Sequence, residues 1–132
     1  MTHEKKEKRM ETIEEQLFSS CSNGNVKKLK QLLINNSKVN LNCANNEGKT
    51  PFYVACQEGR TKIVKILLND KRVKVNKVDQ YGQTPLEIAC RFGHIEIVKL
   101  LLNDKRVKVN KADRDGWTPF HSACGNGEIE II

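Results

Sequence analysis

The sequence is poor in aromatic residues, at 5%, and no apolar run approaches the roughly 20 residues needed to span a bilayer. A membrane helix is therefore not expected. Met1 to Gln16 is dense in charge and has no apolar stretch of the secretory kind. Thr2, not glycine, follows Met1, and the C-terminal residues carry no prenylation cysteine. No Gly-rich loop ending in Lys-Ser or Lys-Thr is present to cradle a phosphate. No nucleophile, base and orienting group stand out as a catalytic set. The expectation is an intracellular protein, cytoplasmic or nuclear, that is not an enzyme and has no cofactor, catalytic or metal-binding residues and no membrane partner.

Five cysteines are present, but their placement argues against a disulfide framework. Cys56, Cys90 and Cys124 stand 34 residues apart, and Cys21 holds a matching place near the N-terminus. Equivalent residues on stacked helices lie about 8–10 Å apart, beyond the roughly 7 Å between Cα atoms that a disulfide tolerates. A small buried residue against the next helix is the structural reading of this position. Redox sensing and metal ligation are the alternatives. Cys43 lies outside the repeated position.

Repetition is what the chain has in abundance. Gly48, Thr50, Pro51, Ala55, Cys56 and Gly59 return as Gly82, Thr84, Pro85, Ala89, Cys90 and Gly93, and again as Gly116, Thr118, Pro119, Ala123, Cys124 and Gly127. A fixed period of this length marks stacked repeats that share one core. Thr-Pro predicts a helix start, with Thr as N-cap and Pro in the first turn. Gly59 stops that helix after about two turns. A second helix follows, carrying Ile63, Val64, Ile66, Leu67 and Leu68, with Lys62 and Lys65 toward solvent. Ile13, Leu17 and Phe18, then Val26, Leu29, Leu32 and Leu33, outline an earlier and degenerate pair.

Between the regular pairs, Asn69 to Lys77 recurs letter for letter as Asn103 to Lys111. Val73 and Val75 alternate with charged residues there, which predicts a short extended segment. Asp79-Gln80-Tyr81-Gly82 and Asp113-Arg114-Asp115-Gly116 then predict tight turns.

This order resembles the ankyrin repeat, most closely over Asp79 to Leu102. The resemblance implies an all-α solenoid of stacked helix pairs with short hairpin or turn fingers. Residues 1–10 are expected to form a charged, flexible N-terminus. Residues 11–132 form the array, in repeats 11–44, 45–78, 79–112 and 113–132, the last cut short within its second helix, as in a fragment of a longer array. The linker lacks the Gly-Ala pair common in the family, so Asn69 or Asp70 is expected in the left-handed conformation. The histidine usual after Thr-Pro-Leu survives only as His121, where the resemblance implies a bond to Thr118; a metal or catalytic role is the alternative. Tyr53 and Glu87 replace it in the earlier repeats, which puts that bond in doubt there.

The resemblance also implies function: a non-enzymatic scaffold that binds a protein partner through its concave face. Carried over residue by residue, that face comprises Asn46, Glu47, Lys49, Gln57 and Glu58, then Gln80, Tyr81, Gln83, Arg91 and Phe92, then Arg114, Asp115, Trp117 and Asn126. Tyr81, Phe92 and Trp117 are either binding anchors or packing residues against a neighbouring repeat. The net charge of +7 favours an acidic partner. Polyanion or nucleic-acid binding through the basic linkers is the alternative function, and end-to-end self-association through the incomplete last repeat is a further expectation.

Overall fold

The computed structural model describes residues 10–125. Among these residues seven helices follow in order: α1 (Ile13–Asn23), α2 (Val26–Asn35), α3 (Pro51–Glu58), α4 (Thr61–Leu68), α5 (Pro85–Arg91), α6 (Ile95–Leu102) and α7 (Pro119–Gly125). Asn126 and the other residues after Gly125, including the incomplete second helix expected there, lie outside the described residues, as do residues 1–9.

Local chemistry sets the helix starts. The Thr50 and Thr84 hydroxyls accept from the Tyr53 and Glu87 N–H groups, each at 3.1 Å, satisfying donors that a helix leaves orphaned. Thr12 caps α1 with a reciprocal bond. Its hydroxyl accepts from Glu15 N–H at 3.1 Å and its own N–H donates to the Glu15 carboxylate at 2.9 Å. Gly59 closes α3 at φ +74°. The His94 ring lies over it, and its Nε2–H donates to the Gln57 carbonyl, 2.8 Å away.

First helices α1, α3, α5 and α7 pack on one another in sequence, and second helices α2, α4 and α6 form the adjoining layer. The core runs between them. It takes Leu17 and Cys21 from α1, Phe52 and Cys56 from α3, and Ile97 and Leu101 from α6, all buried. Each large apolar side chain so placed contributes about 1.5–3 kcal/mol.

The linkers differ from the extended segments expected of them. Val73 N–H bonds back to the Asp70 carbonyl at 3.1 Å, and Val107 to Asp104 likewise, so each linker is a run of turns. Val73 and Val75 still point into the core. The expected left-handed residue is also absent: Asn69 is right-handed at φ −78°, and among the described residues only glycines have positive φ. The Asp70 side chain accounts for this, since it caps the turn by accepting from Arg72 N–H at 3.0 Å.

Asparagines tie linker to linker. The Asn42 amide donates to the Arg72 carbonyl at 2.9 Å and accepts from Lys74 N–H at 2.7 Å. One repeat on, Asn76 donates to Arg106 and accepts from Lys108 at 2.7 and 2.8 Å. Asn76→Ala should therefore cost about 1–2 kcal/mol in urea unfolding, since two exposed hydrogen bonds are lost. Asn110→Ala, at the equivalent place without such a bond, should stay within about 0.5 kcal/mol of the parent.

Candidate functional site

Three fingers precede α3, α5 and α7, and one side chain shapes each of them. Asn45 Oδ1 accepts from the Glu47 and Lys49 N–H groups at 2.9 and 3.0 Å. Asp79 does the same for Tyr81 and Gln83, and Asp113 for Asp115 and Trp117, all at 2.9 Å. Such local bonds hold a turn that would otherwise compete with open conformations. The fingers are also joined: Gln80 N–H donates to the Glu47 carbonyl at 2.9 Å, and Arg114 N–H to Tyr81 at 3.0 Å.

The finger tips present their side chains to solvent. Asn46, Glu47, Gln80, Arg114 and Asp115 are exposed, and Lys49 is half-buried. Lys49 pairs with Glu47 at 3.4 Å and lies 5.8 Å from the centre of the Tyr53 ring. Three aromatics stand out: Tyr81 is 60% exposed, Phe92 55% and Trp117 46%. Trp117 meets His121 edge-on at 5.6 Å and Phe92 lies 6.3 Å from His94, so each keeps one packed edge and one open face. Glu58 is exposed and Gln57 half-buried at the end of α3, where the Gln57 amide donates to the Glu58 carboxylate at 3.0 Å. Phe120, outside the expected set, is also exposed and borders an apolar groove with Leu102 and Val109.

Gln83 departs from the expected set. It is only 8% exposed, because the finger turns its side chain inward. Its amide donates to Asp79 Oδ2 at 3.0 Å and accepts from both terminal nitrogens of Arg91, at 2.6 and 2.9 Å. Arg91 is correspondingly half-buried, with Nη2 3.6 Å from Glu87. Gln83 therefore serves the scaffold, and Arg91 is anchored from beneath.

This anchoring belongs to a buried polar chain that periodicity does not reveal. The Tyr53 hydroxyl donates to Asp79 Oδ2 at 2.7 Å, binding α3 to the next finger. Glu87 occupies the same place in α5. Its Oε2 accepts from the Ser122 hydroxyl at 3.2 Å, and no donor reaches its Oε1. Burial, then the bond to Asp113 and its charge, push the Glu87 carboxyl up to about 8, against the lowering effects of Ser122 and Arg91. A proton on the Glu87 carboxyl lets it donate to Asp113. Burial acts to raise Asp113, but hydrogen bonds from Glu87, Trp117 N–H and Asp115 N–H, with the nearby Arg91 charge, leave it below its ordinary value. Burial, and next the bond to Asp79, raise the Tyr53 phenol far above its usual range. The signal in the sequence was the recurring slot at 53, 87 and 121, filled by Tyr, Glu and His. In the first two repeats it bonds forward to the next finger. In α7 it bonds its own cap, with His121 Nδ1 3.1 Å from both the Thr118 N–H and hydroxyl.

None of the cysteines forms a disulfide; Cys21, Cys56 and Cys90 are buried as expected of the repeated position, whereas Cys124 is exposed. Burial, with a smaller contribution from Cys43, raises Cys21 to about 12; burial and then Glu87 raise Cys90 to about 11. Burial also holds Cys56 well above a normal thiol. These groups stay protonated and unreactive at neutral pH. Among the described residues no three His, Cys, Asp or Glu side chains converge on one point, and no helix is long and apolar enough to cross a membrane.

Stacked helix pairs joined by hydrogen-bonded fingers define a repeat protein whose exposed surface is presented by a rigid frame. A family model described as ankyrin repeats, in three copies, matches residues 17–113 and again 71–132. The chain belongs to the ankyrin-repeat family. No curated protein matches it. Ankyrin repeats generally serve as protein–protein interaction modules and typically carry no enzymatic centre.

Proposed function

We propose that residues 11–132 form one ankyrin array that captures a protein partner on its fingers and first helices. The carrying observation is the exposure of Tyr81 and Trp117 on finger turns whose backbones are fixed by side-chain and cross-finger bonds, together with that of Phe92 at the C-cap of α5. Aromatic side chains supply large contact area with few rotors to immobilise, and a frame already ordered loses little entropy on binding. Arg91 adds a charge held in place by Gln83. Asn46, Glu47, Gln80, Arg114 and Asp115 form a polar rim, with Gln57 and Glu58 on α3.

A photo-cross-linking residue in place of Tyr81 or Phe92 should form an adduct with one discrete protein, while the same residue in place of Lys62 on α4 should not. The reverse pattern would move the site to the second helices. Against the partner so captured, the triple variant Tyr81→Ala, Phe92→Ala, Trp117→Ala should weaken binding at least tenfold, about 1.4 kcal/mol. Arg91 and Gln83 are left intact in that variant because both support the polar chain.

A further inference from the structure

Charge in this protein is divided between the two layers. The second helices and linkers, residues 25–43, 60–78 and 94–112, hold sixteen Lys and Arg against three Asp and Glu. The first helices and fingers, residues 10–24, 44–59, 79–93 and 113–125, hold three against nine. We infer that the lysine-rich layer of second helices and linkers docks the phosphate backbone of double-stranded nucleic acid, independently of the finger face.

The linkers are a fixed array of charge. The Asn42 and Asn76 amides bond across successive linkers, so Lys71, Lys74 and Lys77 run beside Lys105, Lys108 and Lys111. All six are exposed, and among the described residues no carboxylate pairs with them. Asp70 and Asp104 do not quench them, because each is held by its own arginine, Arg72 at 2.7 Å and Arg106 at 2.8 Å. Those arginines are further engaged by carbonyls, Arg72 at Ser37 and Arg106 at Leu68 and Val73.

Several features favour duplex over other anions. With its arginines engaged internally, each linker offers mainly compact lysine charges, which suit phosphates but carry little base recognition. A single-strand site needs stacking aromatics, and Tyr81, Phe92 and Trp117 all belong to the other layer. A membrane site needs apolar insertion; Val73 and Val75, which alternate with the first row of lysines, are buried, and the exposed Val109 of the second row lies with Leu102 in the groove bordered by Phe120. Protein interfaces are depleted in lysine, which disfavours an acidic protein here. A duplex presents about one charge per 1.7 Å of axis, dense enough to meet both rows.

The test is fluorescence anisotropy of the full chain with a labelled 20-base-pair duplex of arbitrary sequence. Binding at low salt is expected, independent of sequence, with log K falling against log salt at a slope of about −4 to −5 if five phosphates are neutralised. Replacing Lys74, Lys77, Lys108 and Lys111 by Gln should flatten that slope by about 3.6 units with an unchanged helical signal. Lys49→Gln with Arg114→Gln, on the finger layer, should leave it unchanged. No binding at 50 mM salt would overturn the inference. So would an unaltered slope in the linker variant, or tighter binding to phosphatidylserine vesicles or polyglutamate than to the duplex at equal salt.

Discussion

Gly48→Ala should destabilise the array by about 2–4 kcal/mol, whereas Gly116→Ala should cost only about 1–2 kcal/mol. Both glycines are left-handed, at φ +79° and +82°, so both alanines incur the same conformational penalty of about 1–2 kcal/mol. Their surroundings differ. A Cβ on Gly48 would lie 2.9 Å from the backbone nitrogen of Gln80, whereas one on Gly116 meets nothing within 4 Å. The crowded atom is the donor that joins the first two fingers, so its displacement also forfeits the Gln80–Glu47 bond, about 1 kcal/mol. Gly82, whose Cβ would come 3.1 Å from the Arg114 nitrogen, should fall between them. Urea midpoints for the three alanine variants measure the series directly. Equal losses at all three positions would mean that finger-to-finger contact contributes nothing.

Glu87→Gln should stabilise the protein at pH 7 by up to about 3 kcal/mol. The folded-state carboxyl is raised to about 8 from its ordinary value of 4.5, so it contributes stability that is fully present below pH 4.5 and lost as pH rises through 8. At pH 7 the chain must take up a proton there on folding, against about 2.5 pH units at 1.36 kcal/mol each. Glutamine supplies the same shape with a permanent donor for Asp113 and an acceptor for Ser122. The advantage of the variant should shrink toward zero below pH 4.5 and be largest above pH 8. Asp113, held below its ordinary value, works in the other sense: its contribution is present above its unfolded value and lost as pH falls through the folded one. The groups facing Glu87 are Arg91 and Cys90 on its own helix, Tyr53 on α3, Asp113 on the next finger and Ser122 on α7. A variant less stable than the parent by the same amount at every pH would contradict the protonated pair.

Much of the frame was legible because it is local. Thr-Pro marks its helix start within three residues, Gly59 its stop, and the Leu, Ile and Val spacing its buried side. What lay beyond reach involves contacts between residues about 30 apart. Asn76 is one letter of a duplicated linker, and only stacking brings it to Arg106 and Lys108. Gln83 has the composition of a surface residue, yet the finger rolls it under Asp79 and Arg91. The linkers are turns and not the extended segments expected, because alternating valines fit either shape and the Asp70 and Asp104 side chains decide between them. Tyr53 and Glu87 were visible as departures from a histidine slot. Their forward bonds to the next finger depend on packing that no single repeat contains.

The claim that the fingers and first helices form the partner-binding face is tested most directly by titrating the cross-linked partner, once purified, against parent protein and the Tyr81→Ala, Phe92→Ala, Trp117→Ala variant, with circular dichroism on both. A rise in Kd of at least tenfold with an unchanged helical signal is expected. An unchanged Kd would contradict the account.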